Sequence, residues 1–165
     1  KAVLAEADRD FSVLKGRQLK KETADDFARA NGFPAGKLDF KYQRLVHEAK
    51  KPLSGPVTAC QVVEAHLEDN ESTIRQSSYE CQYDPKSSAA TITPAMRKQL
   101  HGCVGGEVDP DSDNESLVVH VDRVASGEGA RGVSVELETN PADGARLSLR
   151  KLVCLKKAPA GCDDE

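Results

Sequence analysis

The sequence predicts an α+β fold in which helices pack on one face of an antiparallel sheet. Apolar residues recur at every second position along three late segments, which indicates strands with one buried face. Near the N-terminus apolar residues recur at every third and fourth position, which is typical of amphipathic helices. Turn-forming residues separate these segments. The expected order is three helices, a two-stranded hairpin, one central helix and a three-stranded meander.

The three late segments predict the meander, which runs from Leu117 to Leu155. Their alternating apolar positions are Leu117, Val119 and Val121, then Val133, Val135 and Leu137, then Leu147 and Leu149. Turns centred at residues 127 and 142 would bring all of these side chains to one face. A slip of one residue would turn them toward water, so burial of this face fixes the register. The opposite face would then carry Glu136, Glu138 and Arg150.

The hairpin is predicted upstream, with strands over 61–67 and 73–83. If its turn is centred between residues 70 and 71, Cys60 falls directly opposite Cys81. Directly paired residues of antiparallel strands have Cβ atoms about 4.5–5.5 Å apart, which a small adjustment brings into disulfide range. We therefore expect a disulfide between Cys60 and Cys81.

The remaining cysteines are Cys103, Cys154 and Cys162. Cys162 lies in a polar stretch, and a disulfide to either Cys103 or Cys154 would hold that stretch on the domain. Disulfides persist in oxidising compartments, so this framework predicts an extracytoplasmic protein, periplasmic or secreted. The first residues have no signal-like apolar core, and we expect any targeting peptide to have been removed. No apolar run approaches the roughly 18 residues of a membrane span.

Residues 1–51 are predicted to be the helical part, with helices over 2–19 and 37–50 and a short helix between them. The short helix begins at the capping-box pair Thr23 and Asp26. Residues 52–165 are predicted to be the β-rich part, with one helix over 93–104 that has Pro94 at its first position. We expect both parts to form one structural domain.

The charge of the chain is divided unevenly. Residues 1–51 hold 12 Lys and Arg against 8 Asp and Glu, a balance of +4, and the remainder holds 11 against 19, a balance of -8. A dedicated nucleic-acid binder usually has a domain pI above about 9. The pI of this chain is about 5.6, which does not favour nucleic acid as its partner.

Alternating carboxylates suggest one cation site, at Asp109, Asp111, Asp113 and Glu115, with the spacing of a calcium loop. The match ends there, because Asn114 stands where the sharp turn requires glycine and His120 stands where a bidentate Glu would close the site. An acidic, solvated turn explains the same residues. No bound metal or cofactor is therefore expected.

His101 and Cys103 could join His66 or His120 around zinc or as a thiol and its base. No paired Cys-x-x-Cys or His-x-x-x-His spacing supports such a site, and a structural cysteine on a helix is the simpler interpretation. The sequence contains no Gly-x-Ser-x-Gly nucleophile elbow and no glycine-rich phosphate loop. No catalytic residue is predicted.

The segment from Phe27 to Leu38 resembles the generic helix-turn-helix pattern, with Gly32 in the turn. This resemblance implies a DNA-binding helix on which Lys37, Lys41 and Arg44 face the nucleic acid. Two acidic residues on the preceding helix and a proline in the turn oppose it, and a plain helix-packing motif explains the same pattern.

These observations favour a non-catalytic exported module that binds a protein partner, such as an inhibitor, an immunity-type protein or an envelope accessory protein. One alternative is an enzyme or small-ligand binder whose site is assembled from scattered residues, and another is the DNA-binding protein. In the first interpretation, two surfaces are expected to dock the partner. The candidate residues are Lys37, Lys41 and Arg44 on the basic helix, and Glu136, Glu138 and Arg150 on the polar face of the meander.

Overall fold

The structure, a computed structural model, describes residues 3–34, 36, 38–53, 57–86, 91–126, 129–140, 142 and 144–156. In these ranges an N-terminal segment, residues 3–14, contains 3-10 helices over Leu4–Arg9 and Ser12–Leu14. The strands are β1 Lys15–Thr23, β2 Lys41–Ala49, β3 Val57–Glu68, β4 Ser72–Tyr83, β5 Glu107–Val108, β6 Ser116–Ser126, β7 Gly129–Asn140 and β8 Gly144–Lys156. The helices are α1 Ala24–Ala30 and α2 Pro94–Val104.

The described strands form an antiparallel sheet in the order β1-β2-β3-β4-β8-β7-β6-β5. Strands β1 to β4 extend inward from one edge of the sheet, and strands β5 to β8 extend inward from the other. The two runs meet where β4 pairs with β8. This central seam has no register shift and places Tyr79 opposite Leu149, while Val62 of β3 lies opposite Tyr79 on its other side. We call the sheet face that carries these three side chains the front face, and the opposite one the back face.

The predicted register is confirmed in both the hairpin and the meander. The confirmed pairs are Cys60 with Cys81, Val62 with Tyr79, Leu117 with Leu137, Val119 with Val135, Leu147 with Leu137, and Leu149 with Val135. One expected pair is wrong, because a register shift after His120 places Asp122, rather than Val121, opposite Val133. A β-bulge adds one residue to a strand, so the alternation beyond it no longer reports the partner.

Two of the predicted N-terminal helices are wrong. The chain forms the 3-10 helices and β1 instead of a helix over 2–19, and it forms β2 instead of a helix over 37–50. The ladder with β3 decides the second case, because it pairs Val46 with Val63 and buries both side chains. Burial against a distant strand outweighs local helical spacing, which a short apolar run satisfies almost as well.

Gly16 explains why β1 can lie beside β2. A Cβ at this position would lie 2.8 Å from the Glu48 carbonyl oxygen, so only a residue without a side chain fits there without a shift. The helix-turn-helix interpretation is wrong as well, because its second helix is strand β2. Lys41 and Arg44 are an odd number of positions apart on that strand and therefore point to opposite faces of the sheet.

The N-terminal segment covers the central part of the front face. Phe11 is fully buried, and its ring centroid lies 6.5 Å from that of Tyr79. Ala7 and Leu14 are buried in the same cluster. The Tyr79 hydroxyl donates a hydrogen bond of 2.7 Å to the Lys51 carbonyl. This segment therefore supplies much of the cover that the sequence assigned to helices.

Helix α2 covers the β6 side of the front face, as the sequence predicts. It begins at Pro94, and its N-terminus is capped by the Thr93 side chain. Leu100 and Val104 of α2 pack against a buried cluster that includes Leu117. The central helix and its side of the sheet are thus both confirmed.

Helix α1 packs on the back face of the sheet, not on the front face. The predicted capping box of Thr23 and Asp26 is present, and the helix ends before Asn31. Its Phe27 ring lies 5.3 Å from the ring of Tyr42, centroid to centroid, and Tyr42 shares the back face with Val46. The prediction that all helices pack on one face is therefore wrong for α1.

We expect the substitution Phe11→Ala to lower the free energy of unfolding by about 3–5 kcal/mol, because it removes a fully buried ring and leaves a cavity above Tyr79. Denaturant unfolding monitored by circular dichroism measures this loss. Val13→Ala, at a neighbouring position that is 47% exposed, is the matched control and should change stability little. A loss below about 1 kcal/mol for Phe11→Ala would contradict this account of the core.

Candidate functional site

The front face changes from apolar to polar at the same level on the three central strands. On β3, Val62 is followed on this face by Glu64 and His66, and on β4 Tyr79 is followed by Ser77 and Arg75. On β8, Leu149 is followed by Lys151 at the same level and then by the apolar Val153. The register places Glu64 opposite Ser77 and Ser77 opposite Lys151. The N-terminal segment covers the apolar half of this face, and the polar half is left open.

The open half forms a groove of about 400 Å³. We call it the front groove; its lining includes Leu45, Glu64, His66, Arg75, Ser77 and Lys151. Asp10, at the end of the first 3-10 helix, and Gln43 of β2 also line it. The groove thus lies across β2, β3, β4 and β8, beside the N-terminal segment.

Ion pairs neutralise most of the charge in and around the front groove. Lys15 Nζ lies 2.5 Å from Glu64 Oε1, and Lys151 Nζ lies 2.9 Å from Asp10 Oδ1. His47 Nε2 lies 3.4 Å from Glu64 Oε2 without making a hydrogen bond. The two lysine–carboxylate pairs hold Glu64 on β3 and Lys151 on β8, on either side of β4.

His66 and Arg75 lie directly opposite each other, on β3 and β4. His66 Nε2 is buried and has no hydrogen-bond partner among the described residues. Arg75 is exposed, and its guanidinium makes no hydrogen bond or ion pair with any of the described residues. The groove therefore offers polar groups that the described part of the protein does not itself satisfy.

The front groove contains a hydroxyl and an imidazole on neighbouring strands. Ser77 is diagonal to His66 across the β3–β4 ladder, and within the described ranges no hydrogen bond joins a hydroxyl or a thiol to a histidine. Such a hydrogen bond is the geometric mark of an activated nucleophile. We therefore derive no covalent step from this site.

The sequence did not predict the front groove. The register of the predicted hairpin places His66 opposite Arg75, but the hairpin alone does not distinguish a groove from a solvated surface. The missing information is the pairing of β4 with β8, which adds Lys151 to the same face. The shared change from apolar to polar along the central strands is the signal that could have indicated the site.

The predicted disulfide is present between Cys60 and Cys81, whose Cα atoms are 4.1 Å apart. Cys154 is also disulfide-bonded. Cys103, on α2, is a free and exposed thiol, so of the two pairings that the sequence left open for Cys162, the one with Cys103 is wrong. Cys162 itself lies outside the described residues.

Two of the four carboxylates of the candidate calcium loop, those of Asp109 and Asp113, accept hydrogen bonds from nearby groups of the chain. Asp109 accepts a hydrogen bond from the Asp111 amide, and its other oxygen lies 2.8 Å from His120 Nε2. Asp113 accepts from the amides of Glu115 and Ser116, each at 2.7 Å. In the described ranges no group of three or more His, Cys, Asp or Glu side chains converges on a metal position.

The histidines considered for chemistry are not brought together. His66 lies on the front face of β3, His101 lies on α2 with its Nε2 3.2 Å from the Gly106 carbonyl oxygen, and His120 pairs with Asp109. By the ladder of β6 and β7, His120 faces the back of the sheet. A joint site of these histidines is therefore not formed.

The predicted partner-binding residues of the meander lie together on the back face, as expected. Arg150 Nη2 is 2.7 Å from Glu136 Oε2, and Arg146 pairs with Glu138 across the same two strands. These ion pairs form cross-strand contacts of the kind that stabilise a sheet. Whether this surface also binds a partner stays a prediction.

The other predicted surface becomes part of a sheet edge. Lys41 and Arg44 lie on β2, next to the edge strand β1, while Lys37 lies outside the described residues. Lys41 Nζ is 3.3 Å from Glu68 Oε2, and Arg44 Nη1 is 2.9 Å from Glu22 Oε2. Hydrogen bonds from Lys20 and Arg44 lower the pKa of Glu22, so this carboxylate stays ionised between them.

Strands β1 and β2 together carry six Lys and Arg against two Glu, a balance of +4 in a chain whose net charge is -4. We call the cationic side chains at this end of the sheet the basic edge, which comprises Arg17, Lys20 and Lys21 of β1 and Lys41 and Arg44 of β2. The outer side of β1 pairs with no other strand in the described part of the chain.

No protein family, curated protein sequence or solved structure matches the chain. The inferences that follow therefore rest on its own residues. Among the described residues, no helix is long and apolar enough to cross a membrane.

Among the cysteines that the structure describes, we expect iodoacetamide to modify Cys103 and to leave Cys60, Cys81 and Cys154 unmodified when the native protein is denatured without a reducing agent, because Cys103 is a free thiol and these three are held in disulfides. Peptide mass spectrometry locates the modification. After reduction all five cysteines should react, and the variant Cys103→Ser should show no modification of Cys60, Cys81 or Cys154 before reduction. Modification of Cys60 or Cys81 without reductant would contradict the disulfide between them.

We also expect Asp113 to titrate below 3.8, the ordinary pKa of an aspartate, because hydrogen bonds from the amides of Glu115 and Ser116 stabilise its ionised form. Its contribution to loop order is present above the unfolded-state pKa and is lost as pH falls through the lowered folded-state pKa. NMR titration of the Asp113 carboxyl carbon and the two amides measures this midpoint.

The variant Asp113→Asn is the control for this titration. It keeps an oxygen acceptor but removes the ionisation, so the amide shifts of Glu115 and Ser116 should lose the acid transition. A carboxyl midpoint at or above 3.8 would show that these hydrogen bonds do not form in solution.

Proposed function

We propose that this chain is an exported, non-catalytic module that binds a protein partner through the basic edge. The single observation that carries the proposal is the separation of charge: +4 on β1 and β2 in a chain of net charge -4. Inhibitors, immunity-type proteins and envelope accessory proteins all work by recognition of this kind. The proposed partner presents an extended acidic segment.

Charge complementarity supports an acidic partner. Opposite charges across an interface steer the encounter and exclude partners of the same charge. Lys41 is 81% exposed along its side chain and Lys20 is 62% exposed, so both are available to a partner even though each has an acidic neighbour. Exposed ion pairs of this type contribute little stability and are readily exchanged for new ones.

The outer side of β1 supports an extended segment. An edge strand offers backbone N–H and C=O groups to which a partner's strand can add, and side chains next to it supply specificity. Lysines on an edge strand also discourage pairing between copies of one chain, because like charges would face each other. The same charges attract a segment rich in Asp and Glu.

The disulfide between Cys60 and Cys81 supports export, because disulfides form and persist in oxidising compartments. It joins β3 and β4 at the centre of the sheet, where it limits unfolding of the strands that support the basic edge. The DNA-binding alternative loses its main support, since residues 41–49 form a strand.

The test uses a synthetic peptide in which Glu alternates with Thr, added to the 15N-labelled protein. We expect amide shifts centred on β1 that weaken as salt is added. The double variant Arg17→Glu/Lys21→Glu should bind this peptide at least about tenfold more weakly, because it replaces attraction by repulsion at the edge.

A matched control is Lys86→Glu/Lys98→Glu, which changes the net charge equally but lies in the loop after β4 and on α2. It should keep peptide affinity within about twofold. Equal binding of a peptide in which Gln replaces Glu, or an equal loss in the control, would overturn the proposal. Tighter binding of duplex DNA than of the acidic peptide at the same edge would favour the nucleic-acid alternative instead.

A further inference from the structure

We infer that the front groove binds the carboxylate group of a small monocarboxylic acid, with Arg75 and His66 as its main contacts. This inference is independent of the proposed function, because its main contacts lie on β3 and β4, outside the basic edge, and it concerns a different class of ligand. It rests on charge balance, on unsatisfied donors and on the size and lining of the groove.

The charge balance indicates a ligand with one negative charge. Glu64 is paired with Lys15, and Lys151 is paired with Asp10. Arg75 is then the cation of the groove lining that has no acidic partner among the described residues. A second negative charge on the ligand would lie close to the carboxylates of Glu64 and Asp10, so a dianion such as phosphate fits less well.

The unsatisfied groups point to an oxygen acceptor. Arg75 presents a planar fork of N–H donors, which matches the two oxygens of a carboxylate. The ring of His66 lines the groove directly across the ladder. Its buried Nε2 has no partner among the described residues, and a change of the ring's rotamer would expose it to donate to the same group in the tautomer or charge state that carries a proton there. A buried polar atom without a partner in the protein calls for an acceptor or donor from outside it.

The size and lining of the groove indicate an organic acid. A volume of about 400 Å³ is within the range of small-molecule sites and exceeds what a bare inorganic anion fills. Leu45 and Val153 supply apolar surface in the same groove, while Ser77 and Gln43 add hydroxyl and amide groups. A carboxylate with a compact apolar body matches this combination.

The test uses benzoate as the probe, with benzamide as its neutral isostere and inorganic phosphate as the competing anion. We expect benzoate at up to about 10 mM to shift the NMR signals of the Arg75 side chain and the His66 ring. Benzamide and phosphate should shift them at least about fivefold less at the same concentration. Equal effects of benzoate and benzamide, or a stronger effect of phosphate, would overturn the inference.

The variant Arg75→Gln should weaken benzoate binding at least about tenfold, because it removes the charged donor. Its side chain is exposed, so the thermal unfolding of the variant should match that of the parent protein. The variant His66→Phe removes the ring donor while keeping a ring, and a smaller loss of affinity is expected. Unchanged benzoate affinity in both variants would also overturn the inference.

The variants of the basic edge separate this inference from the proposed function. Arg17→Glu/Lys21→Glu should keep benzoate binding within about twofold, and Arg75→Gln should keep binding of the acidic peptide. Loss of both activities in either variant would show that the two surfaces are not separate sites, and would overturn the inference in this form.

Discussion

The pairing of β4 with β8 is the constraint on which the rest of the structure depends. It joins a hairpin built near the middle of the chain to a strand built at its end, and it runs from Ser72 opposite Lys156 to Gln82 opposite Arg146 without a register shift. A slip of one residue would exchange the front and back faces of one half of the sheet relative to the other. Tyr79 and Leu149 would then no longer share a core.

This seam also aligns the change from apolar to polar across the central strands. On one side of the change, apolar rows are covered by the N-terminal segment, whose Phe11 packs on Tyr79. On the other side, rows that are mostly polar stay open as the front groove, with Leu45 and Val153 as their apolar members. The ion pair of Lys151 with Asp10 lies at the border, where the end of the first 3-10 helix meets the groove. Core and groove are therefore two halves of one face.

How much of the fold and of the front groove could be predicted from the sequence depends on how far apart along the chain the interacting residues lie. The pairing of Cys60 with Cys81 follows from a turn and a local alternation, and so do the ladders of the meander up to the bulge at Val121. The seam does not follow, because nothing in β4 or β8 alone specifies its partner. The identity of β2 as a strand likewise depends on β3, since its apolar spacing also suits a helix. The front groove forms only when β4 pairs with β8, and for that reason the sequence did not predict it.

One ion pair connects strand β1 to the front groove. Lys15 is the first residue of β1, and its side chain reaches Glu64 on β3, so the start of the edge strand is tied to the wall of the front groove. Without this pair, Lys15 would not compensate the charge of Glu64. The carboxylate of Glu64 and the guanidinium of Arg75, diagonal to each other across the β3–β4 ladder, would then balance each other within the groove. With this pair, Lys15 of the edge strand neutralises the charge of Glu64, and the positive charge of Arg75 is available to a ligand. Arg75 is thus available to an anion because Lys15 of β1 compensates the charge of Glu64, a carboxylate of the same groove.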